Sequence, residues 1–335
     1  MTFQGRNFNV IQDFTQAELN YLIDFAIHLK QLKQKRIPHH YLEGQTIALL
    51  FDKTSTRTRS AFTVAAQDLG AHAEFMGAGD VQFGKKESDK DSAIVFGSMF
   101  DGIQLRVSKQ ETVDTFCEYA GVPIWNGMTN DWHPTQMLAD FMTIKEVYGS
   151  LAEQSLVYLG DGRNNVAHSL MIMGAIMGVS VTIASPEALA PASEVLAEAQ
   201  VLAQATGAKI RHLENPLEAV ADASVLYTDV WVSMGEEAQF QERIQQLMPY
   251  QVNQELVQHC QKPYIFLHCL PAFHDSSTQI GAEIKHKYGL EAMEVMDDVF
   301  ESPEAYQFQQ AENRLHTIKA VMAVTNGNLF IPDLA

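Results

Sequence analysis

The chain is poor in cysteine: its 335 residues include only Cys117, Cys260 and Cys269. An odd number of cysteines without a C-x-x-C pair argues against both a disulfide framework and a thiolate zinc site. Secreted domains that depend on disulfides carry more cysteines, so this usage indicates a reducing compartment. We predict a cytoplasmic protein with no bound metal.

Positive charge is also scarce, with 23 Lys and Arg against 41 Asp and Glu and a net charge of −18. A nucleic-acid-binding surface must neutralise many phosphates with Lys and Arg, so this composition argues against that class of partner. The deficit is uneven, because residues 1–150 contain 14 basic and 18 acidic residues, whereas residues 151–335 contain 9 and 23. We expect an anion in the first half and a cation in the second.

Long hydrophobic runs are missing as well. The longest, residues 170–184, is interrupted by glycines and a serine, whereas a helix that spans a bilayer needs about 20 consecutive apolar residues. The first ten residues are polar and lack the apolar centre of a signal peptide. We therefore expect no contact with a membrane.

Short apolar runs alternate with longer helical patterns along the chain, which is typical of α/β domains. The series begins again after residues 149–154, so we predict two domains, each a mainly parallel sheet flanked by helices. Predicted strands cover residues 46–51, 101–106, 122–125, 155–159, 179–184, 209–213, 225–228 and 264–268. Predicted helices cover residues 59–69, 136–148, 165–177, 188–206 and 309–324.

The loop after the first strand is the most informative segment. Residues 52–59 read DKTSTRTR and lead into a helix. The free backbone N–H groups at a helix start, the hydroxyl groups and the planar guanidinium groups of Arg57 and Arg59 all suit phosphate oxygens. The alternative is a Ser/Thr-capped helix with solvated arginines.

Four short segments carry a family resemblance. They are Ser55-Thr56-Arg57-Thr58-Arg59, His133-Pro134-Thr135-Gln136, Asp229-Val230-Trp231-Val232-Ser233-Met234-Gly235 and His268-Cys269-Leu270-Pro271. With these segments, in this order, the chain resembles the aspartate/ornithine carbamoyltransferase family from about residue 45 to residue 320. The third segment resembles the ornithine branch of that family.

The resemblance implies transfer of a carbamoyl group from carbamoyl phosphate to the δ-amino group of L-ornithine, giving L-citrulline and phosphate in arginine metabolism. It implies that residues 1–149 bind carbamoyl phosphate and that residues 150–312 bind ornithine. It further implies that a C-terminal helix, within residues 313–335, packs back on the first domain. No cofactor is expected, because phosphate is a good leaving group once its charge is held.

The resemblance also implies which residues form the carbamoyl phosphate site. They are Ser55, Thr56, Arg57, Thr58, Gln82, Arg106, His133, Gln136, Cys269, Leu270 and Arg314. The residues expected to be catalytic are Arg57, Arg106, His133, Cys269 and Arg314. In this family the His and Gln of the second segment bind the carbamoyl group, where a hydrogen-bond donor stabilises the developing oxyanion. Taken one at a time, each of these residues also reads as an ordinary capping, surface or core side chain.

The second half of the chain supplies the acceptor. The fourteen residues that begin with Asp229 include four acidic residues and no Lys or Arg, which suits a substrate with ammonium groups. The resemblance implies that Asn165 binds the α-carboxylate of ornithine, and that Asp229, Ser233 and Met234 hold its α-amino end. Cys269 is expected to orient and help to deprotonate the δ-amine, which must be neutral before it attacks.

The polar, basic loop around Gln82 has an implied role between subunits. In the family this loop reaches the site of a neighbouring subunit, so the resemblance implies a homotrimer or a multiple of trimers. A monomer would then lack part of its phosphate site.

Three other functions fit parts of the sequence. The turn Gly160-Asp161-Gly162 follows a strand as in a dinucleotide site, but Asn165 stands where the fingerprint needs a third glycine. A putrescine carbamoyltransferase would leave Asn165 without its carboxylate ligand. A carbamoyl phosphate sensor without turnover is favoured by no residue, since every matched catalytic position is kept.

Overall fold

The computed structural model describes residues 2–81, 86–232 and 239–327. The chain divides into unit 1, Met1–Thr143 with Ala311–Ala335, and unit 2, Ile144–Gln310. Each unit contains one sheet in which every strand pair is parallel. The predicted class, α/β with two parallel sheets flanked by helices, is confirmed. None of the described helices has the length and apolarity that crossing a membrane requires.

Unit 1 is built on a four-stranded sheet. Its strands are β1 (Thr46–Phe51), β2 (His72–Met76), β3 (Gly102–Arg106) and β4 (Ile124–Met128), in the spatial order β2-β1-β3-β4. Its helices include α1 (Gln16–Gln34), α2 (Thr56–Asp68), α3 (Asp89–Met99) and α4 (Gln110–Tyr119), and α5 (Pro134–Tyr148) leads into unit 2.

Unit 2 is built on a five-stranded sheet. Its strands are β5 (Ser155–Leu159), β6 (Ser180–Ala184), β7 (Ile210–Leu213), β8 (Val225–Thr228) and β9 (Ile265–His268), in the order β7-β6-β5-β8-β9. Its helices are α6 (Asn165–Met177), α7 (Ser193–Ala203), α8 (Pro216–Val220), α9 (Phe240–Leu247), α10 (Gln254–Val257), α11 (Gln279–Tyr288) and α12 (Asp297–Phe300), and α13 (Gln307–Asn326) returns to unit 1.

Both sheets reverse their strand order at one point. Parallel α/β sheets bind ligands beyond the carboxyl ends of their strands, where the order reverses. In unit 1 the chain moves from β1 to β2 on one side and then to β3 on the other, so the reversal lies between β1 and β3. In unit 2 it lies between β5 and β8. These two points are where a ligand site is expected.

Because side chains alternate along β3, only every second residue of this strand faces the side of the sheet on which α2 lies. Ile103 and Leu105 belong to a core cluster that includes residues of α3 and α4. Since successive side chains of a strand point to opposite faces, Gln104 and Arg106 point to the other face. Arg106, the last residue of β3, contacts α2 there, through Thr58.

The C-terminal helix packs on unit 1, as predicted. Asn313 of α13 accepts a hydrogen bond from Lys30 Nζ of α1 at 2.8 Å and donates one to Thr143 Oγ1 of α5 at 2.9 Å. Arg314 donates to Thr58 Oγ1 of α2 at 3.0 Å. Three helices of unit 1 therefore fix the part of α13 that carries Arg314.

Several boundaries differ from the predicted ones for identifiable reasons. The first helix begins at Thr56 rather than at residue 59, because Ser55 caps it. The helix predicted over residues 188–206 is confined to α7, since Pro191 restricts the residues before it. Strand β2 has no buried residue, and its mixed sequence does not predict a strand.

Candidate active site

The first predicted segment forms the start of α2. Ser55 Oγ accepts a hydrogen bond from the backbone N–H of Thr58 at 3.3 Å, which makes Ser55 the N-cap. Thr56 and Arg57 therefore occupy the first turn, where backbone N–H groups lack intrahelical partners and the helix dipole is positive. Such a helix start, directly after β1, suits a phosphate group.

Two arginines from distant parts of the chain meet at the Thr58 hydroxyl. Arg106 Nη1 donates to Thr58 Oγ1 at 3.2 Å, and Arg314 Nη2 donates to the same oxygen at 3.0 Å. Thr58 is fully buried, and both arginine side chains are at most 9% exposed. Two guanidinium groups held side by side next to a helix start create a strongly positive site, which suits an anion.

A short chain of hydrogen bonds orients Arg314 from its other side. Arg314 Nη1 donates to Gln136 Oε1 at 3.0 Å, and Gln136 Nε2 donates to Asp140 Oδ1 at 2.8 Å. Asp140 is fully buried. The predicted residues Gln136 and Arg314 therefore hold each other, and Asp140 fixes which way the Gln136 amide points.

His133 lies just before α5 and is buried. Burial lowers the pKa of this histidine well below its usual range, and the charges of Arg314, Arg106 and Arg57 lower it further. The ring is therefore neutral at physiological pH. A neutral imidazole carries one N–H donor, which is what stabilising a carbonyl oxygen requires.

The two arginines of the first segment have different surroundings. The guanidinium carbon of Arg59 lies 3.6 Å from the centre of the Phe75 ring, so its planar face packs on that ring. Arg57 is among the charges that act on the buried His133. The structure therefore gives Arg59 a packing contact with Phe75, and the phosphate contacts of the two arginines stay a prediction.

In unit 2 the predicted acceptor residues lie at the ends of β5, β8 and β9. Asp229 follows β8, Cys269 follows β9, and Asn165 opens α6 after β5. Asp229 Oδ1 accepts from the Cys269 thiol at 2.9 Å and from the backbone N–H of Val230 at 2.8 Å. A carboxylate is thereby held at the reversal point of the second sheet.

The carboxylate of Asp229 is largely removed from solvent, with 9% of the residue exposed. Burial raises the pKa of Asp229, while the hydrogen bonds from the Cys269 thiol and the Val230 N–H partly offset that increase. A bound ammonium group would favour the charged carboxylate further. The site is therefore suited to a cationic ligand, and its charge is opposite to that of the site in unit 1.

The segment with Cys269 and Leu270 is held by a buried pair. His268 Nδ1 accepts from the backbone N–H of Leu270 at 2.9 Å, so its Nε2 carries the proton and donates to Glu294 Oε1 at 3.2 Å. Glu294 Oε1 also accepts from the backbone N–H of Phe273 at 2.6 Å. Glu294 thus contacts both ends of the turn that follows β9, at His268 and at Phe273.

Two groups of the described side chains have the composition of metal ligands. Asp229, His268 and Cys269 form the first group, in which both ring nitrogens of His268 already serve internal hydrogen bonds. His274, Asp275 and Asp297 form the second, in which His274 Nδ1 lies 2.7 Å from Asp297 Oδ1. Hydrogen bonding within the protein accounts for both groups.

The structure brings the predicted residues together in two sets. Ser55, Thr56, Arg57, Thr58, Arg106, His133, Gln136 and Arg314 lie in unit 1, and Asn165, Asp229, Cys269 and Leu270 lie in unit 2. Gln82, Ser233 and Met234 fall outside the described residues. The structure also adds Asp140, Asn164 and Glu294, which the sequence did not predict. Only Asn164 had a sequence signal, as an Asn directly before a helical pattern.

Models of one family match both parts of the chain. The carbamoyl-P binding domain of aspartate/ornithine carbamoyltransferase matches residues 6–146, and the Asp/Orn binding domain of the same family matches residues 152–325. Together they cover most of the described residues.

Individual relatives agree with these matches. The chain is 60% identical over 333 residues to a catabolic ornithine carbamoyltransferase of Streptococcus ratti, covering 99% of each chain. Among solved structures, ornithine carbamoyltransferase from Pyrococcus furiosus is similar with a TM-score of 0.90 and 41% identity, covering 98% of this chain and 100% of that one. The enzyme from Gloeobacter violaceus is similar with a TM-score of 0.82 and 36% identity, with coverage of 98% and 100%.

Proposed function

The chain belongs to the aspartate/ornithine carbamoyltransferase family, and from this premise we propose that it transfers the carbamoyl group of carbamoyl phosphate to the δ-amine of L-ornithine. The products are L-citrulline and phosphate, within arginine metabolism. The observation that carries this proposal is the pair of buried sites of opposite charge. A cationic site suits carbamoyl phosphate, and a carboxylate suits an amino acid with an additional amine.

Unit 1 holds the carbamoyl phosphate. The phosphate oxygens bind the N–H groups at the start of α2 and the side chains of Ser55, Thr56 and Arg57. Arg106 and Arg314 lie beside the hydroxyl of Thr58, so they neutralise charge that accumulates on phosphate as it leaves. Most of the rate increase then comes from positioning and electrostatics.

The carbonyl group of the substrate is activated by His133. Its ring is kept neutral by burial and by the surrounding arginines, so it donates one N–H to the carbonyl oxygen. This hydrogen bond strengthens when the amine adds and negative charge develops on that oxygen. A donor of this kind typically lowers a barrier by about 2.7–4 kcal/mol. Gln136 contributes to the same carbamoyl group.

Unit 2 holds ornithine, with its α-amino group on Asp229 and its α-carboxylate on Asn165. The neutral δ-nitrogen attacks the carbonyl carbon, a C–N bond forms, and the C–O bond to phosphate breaks with its electron pair remaining on phosphate. The proton that the nitrogen loses leaves with the phosphate product. Cys269 orients the amine, and the carbonyl oxygen of Leu270 accepts from the carbamoyl NH₂.

Two finer parts of the proposal concern assembly and location. We propose that the protein forms trimers in which Gln82 completes the phosphate site of a neighbouring subunit. Mixing inactive Arg57→Ala and Gln82→Ala subunits tests this, because mixed trimers regain some complete sites only if each site draws residues from two chains. A cytoplasmic location stays a prediction from cysteine usage.

The function is tested by measuring product formation from carbamoyl phosphate with ornithine, putrescine and aspartate in parallel. We expect strong preference for ornithine, with citrulline and phosphate formed in equal amounts. Preference for putrescine would retain the phosphate site and overturn the roles of Asn165 and Asp229. Product with none of the three would overturn the proposed function, and binding of carbamoyl phosphate without turnover would then indicate a sensor.

A further inference from the structure

A buried phenol lies behind the acceptor residues of unit 2. Tyr158 of β5 is fully buried. Its hydroxyl oxygen accepts a hydrogen bond from Asn164 Nδ2 at 2.6 Å. Gly160 passes close to this oxygen, since a Cβ added there would lie 3.6 Å from it. None of the proposed roles uses this hydroxyl group.

The orientation of the Asn164 amide follows from its other contacts. Asn164 Oδ1 accepts from the backbone N–H of Ala167 at 2.8 Å and so caps α6. Because a side-chain amide has one oxygen and one NH₂ group, Nδ2 must face the other way. It faces the Tyr158 hydroxyl and also Asp229 Oδ2, which lies 3.5 Å away.

The two oxygens of Asp229 are held by different groups. Oδ1 accepts from the Val230 N–H and from the Cys269 thiol. Oδ2 has Asn164 Nδ2 as its neighbour. The position of Oδ2 therefore depends on where the NH₂ group of Asn164 points, which the Ala167 N–H and the Tyr158 hydroxyl decide together.

Tyr158 remains protonated under physiological conditions. Burial raises its pKa well above the usual range, and the nearby Asp229, Asp161 and Cys269 raise it further. A protonated hydroxyl group is uncharged and accepts the hydrogen bond from Asn164. The phenol thus acts as a fixed acceptor for this amide rather than as an acid or base.

We propose that Tyr158 is a positioning residue for the amino-acid acceptor: through Asn164 it fixes Asp229 Oδ2 where the α-ammonium group binds. This rests on the proposed function. Without the hydroxyl, the half-buried NH₂ group loses the nearer of its two acceptors, which is unfavourable, so the amide turns and the carboxylate shifts. Binding of the phosphate group of carbamoyl phosphate, which is assigned to unit 1, does not depend on the Tyr158 hydroxyl.

The test is Tyr158→Phe, which removes only the hydroxyl group. Two inhibitors competing with ornithine serve as probes: norvaline, which is ornithine without the δ-amine, and pentanoate, which also lacks the α-amino group. We expect norvaline to bind about tenfold more weakly to the variant and the KM for ornithine to rise by a similar factor, as for one hydrogen bond to a charged group. Pentanoate binding, kcat and the KM for carbamoyl phosphate should change less than twofold.

A matched control is Tyr250→Phe. Tyr250 is also buried in unit 2, and its hydroxyl donates to the backbone carbonyl of Glu214 at 2.7 Å. The Tyr250→Phe variant should lose a similar amount of thermal stability, with no change in the inhibition constant of norvaline. A second variant, Asn164→Asp, keeps an oxygen to cap α6 but replaces the donor beside Asp229 Oδ2 with a carboxylate. The two carboxylates repel each other and Oδ2 is displaced, so norvaline should bind still more weakly.

Three outcomes would overturn the proposal. In the first, norvaline binds to Tyr158→Phe and to Asn164→Asp as tightly as to wild type. In the second, Tyr158→Phe weakens the binding of norvaline and of pentanoate by the same factor. In the third, Tyr250→Phe loses as much norvaline affinity as Tyr158→Phe. Failure of the proposed function looks different, since wild-type protein would then form no citrulline and norvaline would not compete with any acceptor.

Discussion

Units 1 and 2 share one architecture but differ in the sign of the charge around their buried groups. In unit 1, burial and nearby cations lower the pKa of His133 and His316. In unit 2, burial and nearby carboxylates raise the pKa of Tyr158 and bring that of Tyr264 to about 12. The two buried histidines of unit 1 are therefore neutral, and so are the two tyrosines of unit 2.

The difference separates what the fold decides from what the side chains decide. Both parallel sheets place their candidate site at the point where the strand order reverses. At that point unit 1 presents guanidinium groups next to a helix start, and unit 2 presents a carboxylate. The same topology thus provides one place for a ligand in each unit. A few side chains make an anion favourable in unit 1 and a cation favourable in unit 2.

The strongest test of this contrast is Arg57→Ala in unit 1. Loss of a positioned charged donor should reduce turnover by about 10²–10³-fold, since such donors contribute about 2.7–4 kcal/mol. The matched control is Arg59→Ala, two residues along the same helix. Its guanidinium packs on Phe75, so we expect a loss of about 0.5–2 kcal/mol in stability and a turnover within a fewfold of normal.

Citrulline formation at saturating substrate, together with thermal unfolding, distinguishes the two variants. If Arg59→Ala lost as much turnover as Arg57→Ala, both arginines would act on the phosphate, as the sequence alone predicts. If neither lost turnover, unit 1 would not hold the anion, and the contrast between the units would fail.

A smaller effect is expected for stability at acid pH, through His316. Burial lowers its pKa to about 3; Lys319, Lys30 and Lys33 add to that decrease, and Asp68 opposes it. Above pH 6.5 the ring is neutral in both states. As the pH falls through 6.5 the unfolded chain binds a proton that the folded chain does not, so the free energy of unfolding falls by about 2 kcal/mol between pH 7.5 and pH 5.

His316→Phe should remove this part of the pH dependence. Urea unfolding of wild type and variant at pH 7.5 and pH 5 measures it, because all other titrating groups are common to both proteins. If wild type and His316→Phe lost the same stability between pH 7.5 and pH 5, the folded protein would bind a proton at His316 as readily as the unfolded chain does.

The fold was predictable where strands are buried on both faces. Strands Thr46–Phe51, Ser155–Leu159 and Val225–Thr228 have the predicted bounds, because a continuous apolar run is their local signature. Strand His72–Met76 has no buried residue and no such run. The short helices, such as Pro216–Val220, complete barely more than one turn and therefore show no helical period.

The site was most readily predictable where one segment carries the chemistry. Four short segments were enough for the family, which is confirmed, and they place Arg57 at a helix start. The contacts of Arg314 with Thr58 and of His268 with Glu294 join residues that are distant along the chain. No local pattern encodes such contacts, so they become visible only once the helices and strands are packed.

The smallest expected effect concerns Cys269 in unit 2. It distinguishes a thiol that acts on the amine of the substrate from a thiol that is an inert core group. Its thiol donates to Asp229 Oδ1, so Cys269→Ser keeps a donor and Cys269→Ala removes it. We expect turnover about tenfold lower in the Ala variant, as for one hydrogen bond to a charged group, and closer to normal in the Ser variant. The pH profile of the Ala variant should shift, because the δ-amine must lose its proton before it attacks.

The half-buried Cys260, whose pKa burial raises to about 11, provides the control Cys260→Ala. If turnover and pH profile were unchanged in Cys269→Ala, the thiol would be an inert core group, and the charge of the acceptor site would rest on Asp229 alone.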